Sequence, residues 1–175
     1  MFLLHLRSLI TMTSIRSYQP SDWPAIWSML QSTFAAGDTY AYAPDSTESY
    51  IHNAWIEYPQ ATFVATDEAG NILGTYFIKP NQTGLGDHVC NCGYVVAVAA
   101  QGQGVAAAMC EQSQLEAVRL GFLAMQFNLV VSTNERAVRL WKRLGFAVVG
   151  TLPGAFRHQK LGQVDALVMF KTLAA

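Results

Sequence analysis

The stretch Val96-Ala97-Val98-Ala99-Ala100-Gln101-Gly102-Gln103-Gly104-Val105-Ala106 decides the fold. Its first residues continue an apolar, β-branched strand, and its last open an alanine-rich run that reads as a helix. Between them, Gly102 and Gly104 permit a tight turn whose backbone can approach a ligand closely. A strand-turn-helix junction of this kind aims several backbone N–H groups at one point, and the helix N-terminus adds positive potential. A pyrophosphate can bind there without a lysine.

The elements on either side set the context. Downstream, the helix runs from about Gly102 to Leu120, and Gly121 can end it. A strand over Leu123 to Val131 follows, then a helix over Asn134 to Leu144 whose Ala137, Val138, Trp141 and Leu144 form the buried stripe. Strands near Phe146 to Leu152 and Val164 to Thr172 complete the chain. Upstream, a strand over His88 to Val98 leads into the turn. It is preceded by a hairpin of Ala61 to Thr66 and Ile72 to Lys79, joined at Glu68-Ala69-Gly70-Asn71. Before these come a short strand at Ile15 to Tyr18, a helix capped by Ser21 with Trp23, Ile26, Trp27, Leu30 and Phe34 at helical spacing, and a helix over Ser46 to Tyr58 that Pro59 ends. The linker Ala35 to Asp45 carries Tyr40 and Tyr42, which no periodic pattern claims, and these can wall a pocket.

One mixed sheet with helices on both faces is the expected architecture. No repeat or charge block marks a domain boundary, so residues 12–175 read as one domain. Residues 1–11 are apolar but too short to span a bilayer and lack a basic n-region. They read as an extension upstream of a start at Met12, with an amphipathic packing role as the alternative.

Composition narrows the function classes. A chain of 175 residues that is 51% hydrophobic and 13% charged is globular rather than disordered. Eleven Lys and Arg against twelve Asp and Glu leave a net charge of -1, so no global field draws the chain to nucleic acid or to an anionic membrane. Cys90, Cys92 and Cys110 fit neither a zinc pattern nor a disulfide framework, which suits a reducing, cytoplasmic location. His88, Cys90 and Cys92 alternate as metal ligands could, but small buried strand residues beside a loop-end histidine account for them better, and no metal is expected.

Gly102-x-Gly104-x-x-Ala107 also matches a dinucleotide fingerprint. That motif requires the first βα turn of a parallel unit and an acidic residue about 20 residues on. Here a hairpin precedes the turn, and the next strand offers Asn128. A turn with no ligand is the other alternative.

Gln101, Gly104 and Ala106 fit the pattern Gln or Arg, two residues, Gly, one residue, Gly or Ala. With the element order and the segment Asn134 to Phe146, they make the chain from Met12 onward resemble the GNAT superfamily of acetyl-CoA-dependent N-acetyltransferases. The resemblance implies a single α/β domain, with a mostly antiparallel sheet of about seven strands whose fourth and fifth strands splay apart. It implies acetyl-CoA as co-substrate. The pyrophosphate would lie on Gln101, Gly102, Gln103, Gly104, Val105 and Ala106, and the pantetheine arm along the strand edge at Val95, Val96 and Val98. A backbone N–H around Val96 would polarise the thioester carbonyl. Asn134 would lie near the cofactor. It also reads as a helix cap, within the capping box Ser132-Thr133-Asn134-Glu135.

Trp141 stands where family members commonly carry a Tyr that protonates the departing thiolate. An indole has no proton of useful acidity, so Trp141 is expected to pack along the pantetheine or the core, leaving water, Ser132, Thr133 or another group for the proton.

Asn91 and Asn128 are carboxamides in otherwise apolar strands, and a buried carboxamide needs a partner. They read either as ligands of a compact polar acceptor or as amides satisfied within the sheet. The segments Asn91 to Tyr94, Phe127 to Asn134 and Gly145 to Phe156 are similar to a GNAT subgroup acting on small cyclic imino acids. The expected acceptor is therefore a small-molecule amine, an amino or imino acid, bound by Asn91, Asn128, Tyr40 and Tyr42. Acetylation of a protein N-terminus or lysine, and non-catalytic acyl-CoA binding, are the alternatives. Apolar strands at the end of the chain would allow a homodimer.

Overall fold

The structure is a computed structural model and describes residues 13–173. The expected extension over residues 1–11 and the start at Met12 lie outside the described residues. A seven-stranded sheet in the order β1-β2-β3-β4-β5-β7-β6 forms the centre. Its strands are β1 (Ser14–Ser17), β2 (Ala61–Thr66), β3 (Ile72–Pro80), β4 (Val89–Val96), β5 (Ala124–Val131), β6 (Ala147–His158) and β7 (Gly162–Thr172). Neighbours are antiparallel except β4 and β5, which are parallel.

The two-residue alternation of strand side chains builds two cores. Val64, Phe77 and Val95 point to one face, where α1 (Trp23–Ala35) and α2 (Glu48–His52) cover them with Ile26, Leu30, Phe34 and Ile51. Ala65, Tyr76, Ile78 and Cys92 point to the other, under Val105, Met109 and Cys110 of α3 (Val105–Arg119). Trp141 of α4 (Glu135–Arg143) joins that second core.

Several expected boundaries move, each for a local reason. Ser21 is not a cap. It sits inside a 3-10 turn over Pro20–Asp22, where the Asp22 carboxylate accepts from Gln19 N–H at 2.8 Å and from the Arg16 guanidinium at 2.7 and 2.8 Å. These bonds hold the Asp22 carboxyl below the usual carboxylate range.

The helix expected over Ser46 to Tyr58 starts from Thr47, whose hydroxyl accepts from Tyr50 N–H, and becomes a π turn over Asn53–Glu57. The wider turn delivers Trp55 to the core, where its indole donates to Thr75 Oγ1 at 3.2 Å and its carbonyl accepts from Thr62 Oγ1 at 2.7 Å. The strand before the glycine turn ends at Val96, and Val98 belongs to a 3-10 turn over Val98–Ala100. The cap of α4 is Asn134, accepting from Ala137 N–H at 3.2 Å, rather than a box opened by Ser132.

The largest shift is in β6, which runs six residues past the expected end at Leu152. Pro153-Gly154 reads as a strand stop, but the sheet absorbs it as a bulge between Leu152 and Phe156, and Asp165 accepts the Gly154 N–H at 2.9 Å. The β6–β7 tip then reaches the loop after α1, where Gln159 N–H donates to Gly37 carbonyl at 3.1 Å.

Candidate active site

The site begins where the parallel pair comes apart. β4 and β5 share only three rungs, Val89 with Ala124, Cys90 with Met125 and Asn91 with Gln126. Beyond them the strands diverge, and β5 carries a one-residue bulge between Phe127 and Val130. Asn91 marks the fork, its side-chain amide donating to Gln126 carbonyl at 2.9 Å.

Past the fork, β4 has one free edge. Asn81 N–H donates to Val89 carbonyl and Ala97 N–H to Leu73 carbonyl, and the β3–β4 register between them is regular. The alternation of backbone groups therefore turns Asn91, Gly93 and Val95 toward β3, and Tyr94 and Val96 toward the split. Tyr94 carbonyl meets Tyr40 there, whose hydroxyl donates to it at 2.9 Å. Val96 N–H faces the same opening, where an oxyanion donor was expected.

A cleft of about 950 Å³ runs through the split. On the α3 side it ends at the glycine turn, where Gly102 has φ +79° and Gly104 φ +85°. A Cβ at Gly104 would meet nothing within 4 Å, so the turn is an open cradle of N–H groups in front of a 15-residue helix. Of the expected cofactor residues, Val95, Val96, Gln101, Gly102, Gly104, Val105, Ala106, Asn134 and Trp141 line the cleft. Val98 does not, because the strand has already ended and its side chain is 76% exposed. Gln103 does not either, its amide turned back onto Ala99 carbonyl at 2.8 Å.

Arg136 is a lining residue that the sequence reading missed. Its guanidinium lies 3.8 Å from where a Cβ on Gly102 would stand. Glu135 pairs with Arg139 at 2.9 Å, which leaves Arg136 beside the turn with no carboxylate partner among the described residues. The Glu135-to-Arg139 spacing of four was the available signal.

Trp141 packs as expected, its ring 5.2 Å from Tyr94 and 5.1 Å from Phe127. Tyr94 does not replace the missing phenol. Ser113 gives its own proton to Cys110 carbonyl at 2.8 Å, so Tyr94 donates to Ser113 Oγ at 2.7 Å, and burial pushes its phenol well above the usual range. Ser132 and Thr133 are not lining residues.

On the α1–α2 side, Tyr40 and Tyr42 form a wall, packed edge-on and tilted against Phe34 with ring centroids 5.3 and 4.8 Å away. The base of this side is amide-rich. Asn128 is exposed rather than buried, and its carboxamide accepts from Gln126 Nε2 at 2.8 Å and donates to Asn81 Oδ1 at 2.7 Å. The expectation of a buried amide failed because the sheet is open at the bulge. Asp38 is the one carboxylate among the described lining residues. The hydroxyl of Thr39, beside it, is buried with no hydrogen-bond partner.

Gly93 keeps the α1–α2 side of the cleft open. A Cβ there would stand 2.6 Å from Phe77 Cε1 and 3.1 Å from Tyr40 Oη. Gly93→Ala should displace a buried ring and lower stability by about 1–3 kcal/mol. It should also lift Tyr40 off Tyr94, raising the acceptor KM more than the acetyl-CoA KM; steady-state kinetics beside a melting curve check both.

Cys90, Cys92 and Cys110 are buried free thiols and His88 is exposed. Among the described residues, no cluster of metal-binding side chains occurs and no helix is long and apolar enough to cross a membrane.

A parallel pair that parts in front of a glycine-turn helix, with a free strand edge between, can receive a long ligand that brings an anion to the turn and amides to the edge. The chain belongs to the acetyltransferase (GNAT) family, N-acetyltransferases that take their acetyl group from acetyl-CoA; the family model matches residues 23–146. It is similar to a GCN5-related N-acetyltransferase from Kribbella flavida, with 43% identity, 92% of this chain and 98% of that one covered, and a TM-score of 0.88. It is 34% identical over 113 residues to the N-acetyltransferase aca1 of Schizosaccharomyces pombe, a match spanning 63% of this chain and 53%, about half, of that protein. A phosphinothricin acetyltransferase from Sinorhizobium meliloti, solved with acetyl-CoA, shares the fold at 17% identity and a TM-score of 0.82 over 93% of this chain and 89% of that one.

Proposed function

We propose that the protein transfers the acetyl group of acetyl-CoA to the amine of a small amino or imino acid. The observation that carries this reading is the split itself. One free strand edge, at Tyr94 and Val96, lies between an anion cradle on one face of the sheet and an amide-and-aromatic pocket on the other.

Acetyl-CoA supplies the thioester. The N–H groups of Gly102, Gly104, Val105 and Ala106 and the Arg136 guanidinium hold its pyrophosphate, and the free edge of β4 pairs with the amides of its arm. Val96 N–H is the donor for the negative charge that grows on the carbonyl oxygen, and it costs no reorganisation because the strand already fixes it. Asn128 orients the acceptor and Asn91 holds the fork beside it, while Tyr40, Tyr42 and Phe77 shield it from water. The amine must lose a proton to attack, and Asp38 gives that proton an exit. With Trp141 in the family's Tyr position and Tyr94 committed to Ser113, the thiolate leaves to water.

A thiol-release assay with acetyl-CoA and a panel of acceptors tests the proposal. Turnover should be confined to small amino and imino acids. Turnover of peptide N-termini or lysine side chains alone would replace it with protein acetylation, and acetyl-CoA binding without turnover of any amine would make the protein a binding module.

A further inference from the structure

We infer that Lys79 is the anion receptor of the acceptor site and reads the carboxylate of the substrate. The inference rests on the proposed amino- or imino-acid acceptor and adds the residue that selects for it.

Lys79 lies on β3 directly opposite Asn91, the residue at the fork, and it lines the cleft. Cross-strand partners share a face, so both side chains stand on the acceptor side with Phe77 and Gly93. Lys79 is partly buried, and its ammonium sits 5.1 Å from the Tyr58 ring and 5.4 Å from the Phe77 ring. Two aromatic faces fix the position of the charge and replace part of its lost hydration. No carboxylate does: among the described residues Lys79 forms no ion pair, not even with Asp38, the one carboxylate lining the same cleft.

On the same face of the sheet, around the fork, stand neutral hydrogen-bonding groups. Asn81, Asn91, Gln126 and Asn128 are bonded among themselves and to the backbone, so they neither quench an ammonium nor repel an anion. A partly desolvated cation held by rings, beside amides and at the mouth of a reaction cleft, lacks one thing, an anion. Burial lowers its affinity for the proton, and a bound carboxylate would restore it. A compact substrate with its amine directed at the split would place its own carboxylate on this side of the fork.

The test compares acids with their amides, proline with prolinamide and alanine with alaninamide, on the wild-type protein and on Lys79→Met, Lys79→Gln and Lys79→Arg. The quantity read is the acid-to-amide ratio of kcat/KM. Comparing that ratio between proteins cancels the weaker basicity of the amide's nitrogen. The wild type should favour the acid. Lys79→Met and Lys79→Gln should lower the ratio by about 10- to 100-fold, as expected for a lost charge-assisted hydrogen bond, mainly through KM of the acid. Lys79→Arg should keep most of it. A melting-temperature rise with acetyl-CoA in each variant reports that it is folded.

An unchanged ratio in Lys79→Met and Lys79→Gln, with a wild type that favours acids, would overturn the inference and leave the proposed acceptor standing. A loss shared equally by acid and amide would also overturn it, since that is the mark of a structural role. A wild type that turns over only the amides, or neither member of any pair, would overturn the acceptor reading and this inference together.

Discussion

Gly104→Val should abolish the stabilisation that acetyl-CoA gives the protein. At a hundred times its Kd the ligand should add about 2.7 kcal/mol to stability. In a domain of this size that is roughly 5–10 °C of melting temperature. NAD and ATP should give no such rise, because neither has an arm for the free edge of β4. Gly104 has φ +85°, and a Cβ there meets nothing in the protein within 4 Å. The variant therefore folds with a strain of about 1–2 kcal/mol, while its branched side chain fills the space proposed for the pyrophosphate. Gly104→Ala separates the two effects, since it carries the strain with little of the bulk and should keep part of the shift. kcat/KM for acetyl-CoA should fall by about 100-fold or more in the Val variant, the equivalent of nearly 3 kcal/mol. A full acetyl-CoA shift in Gly104→Val, or an equal shift with NAD in the wild type, would sink the placement of the cofactor.

The glycine turn was legible because it is local. Strand, turn and helix meet within eleven residues, and the same few residues that build the turn make the cradle. The two cores were legible for a similar reason, since periods of two and 3.6 mark which side chains face inward. What was not legible depends on a partner distant in sequence. Pro153-Gly154 reads as a strand end until Asp165 takes the Gly154 N–H. The π turn after His52 reads as plain helix until Thr62 and Thr75 hold Trp55 in place.

The site divides in the same way. Tyr40 and Tyr42 stood out as aromatics that no stripe claimed, and both line the cleft. Arg136 was hidden in a charged helix and Lys79 at the end of a strand, where a lone cation reads as solvated. Only the sheet order puts Lys79 opposite Asn91 at the fork. Asn128 was singled out as a buried amide, but it is exposed, because the strands part beside it, and its interest as a candidate lies in that opening.

Asn91→Ala and Asn128→Ala should therefore part company, although the two residues look alike in the sequence. Asn91 donates to Gln126 carbonyl on the last rung that β4 and β5 share. Removing it takes a donor from that carbonyl, at a cost of about 1 kcal/mol, and loosens the fork on which the free edge depends. Its variant should melt several degrees lower and be weakened toward acetyl-CoA and acceptor alike. Asn128 bonds only to the side chains of Gln126 and Asn81, and both remain within reach of water when it is lost. Its variant should keep the melting temperature and the acetyl-CoA affinity, while the acceptor KM rises by about fivefold or more, as expected for one lost hydrogen bond. Melting curves, acetyl-CoA titration and acceptor kinetics on both variants decide the matter. Equal loss of stability in the two would make Asn128 a structural amide, and an unchanged acceptor KM with Asn128→Ala would remove it from the site.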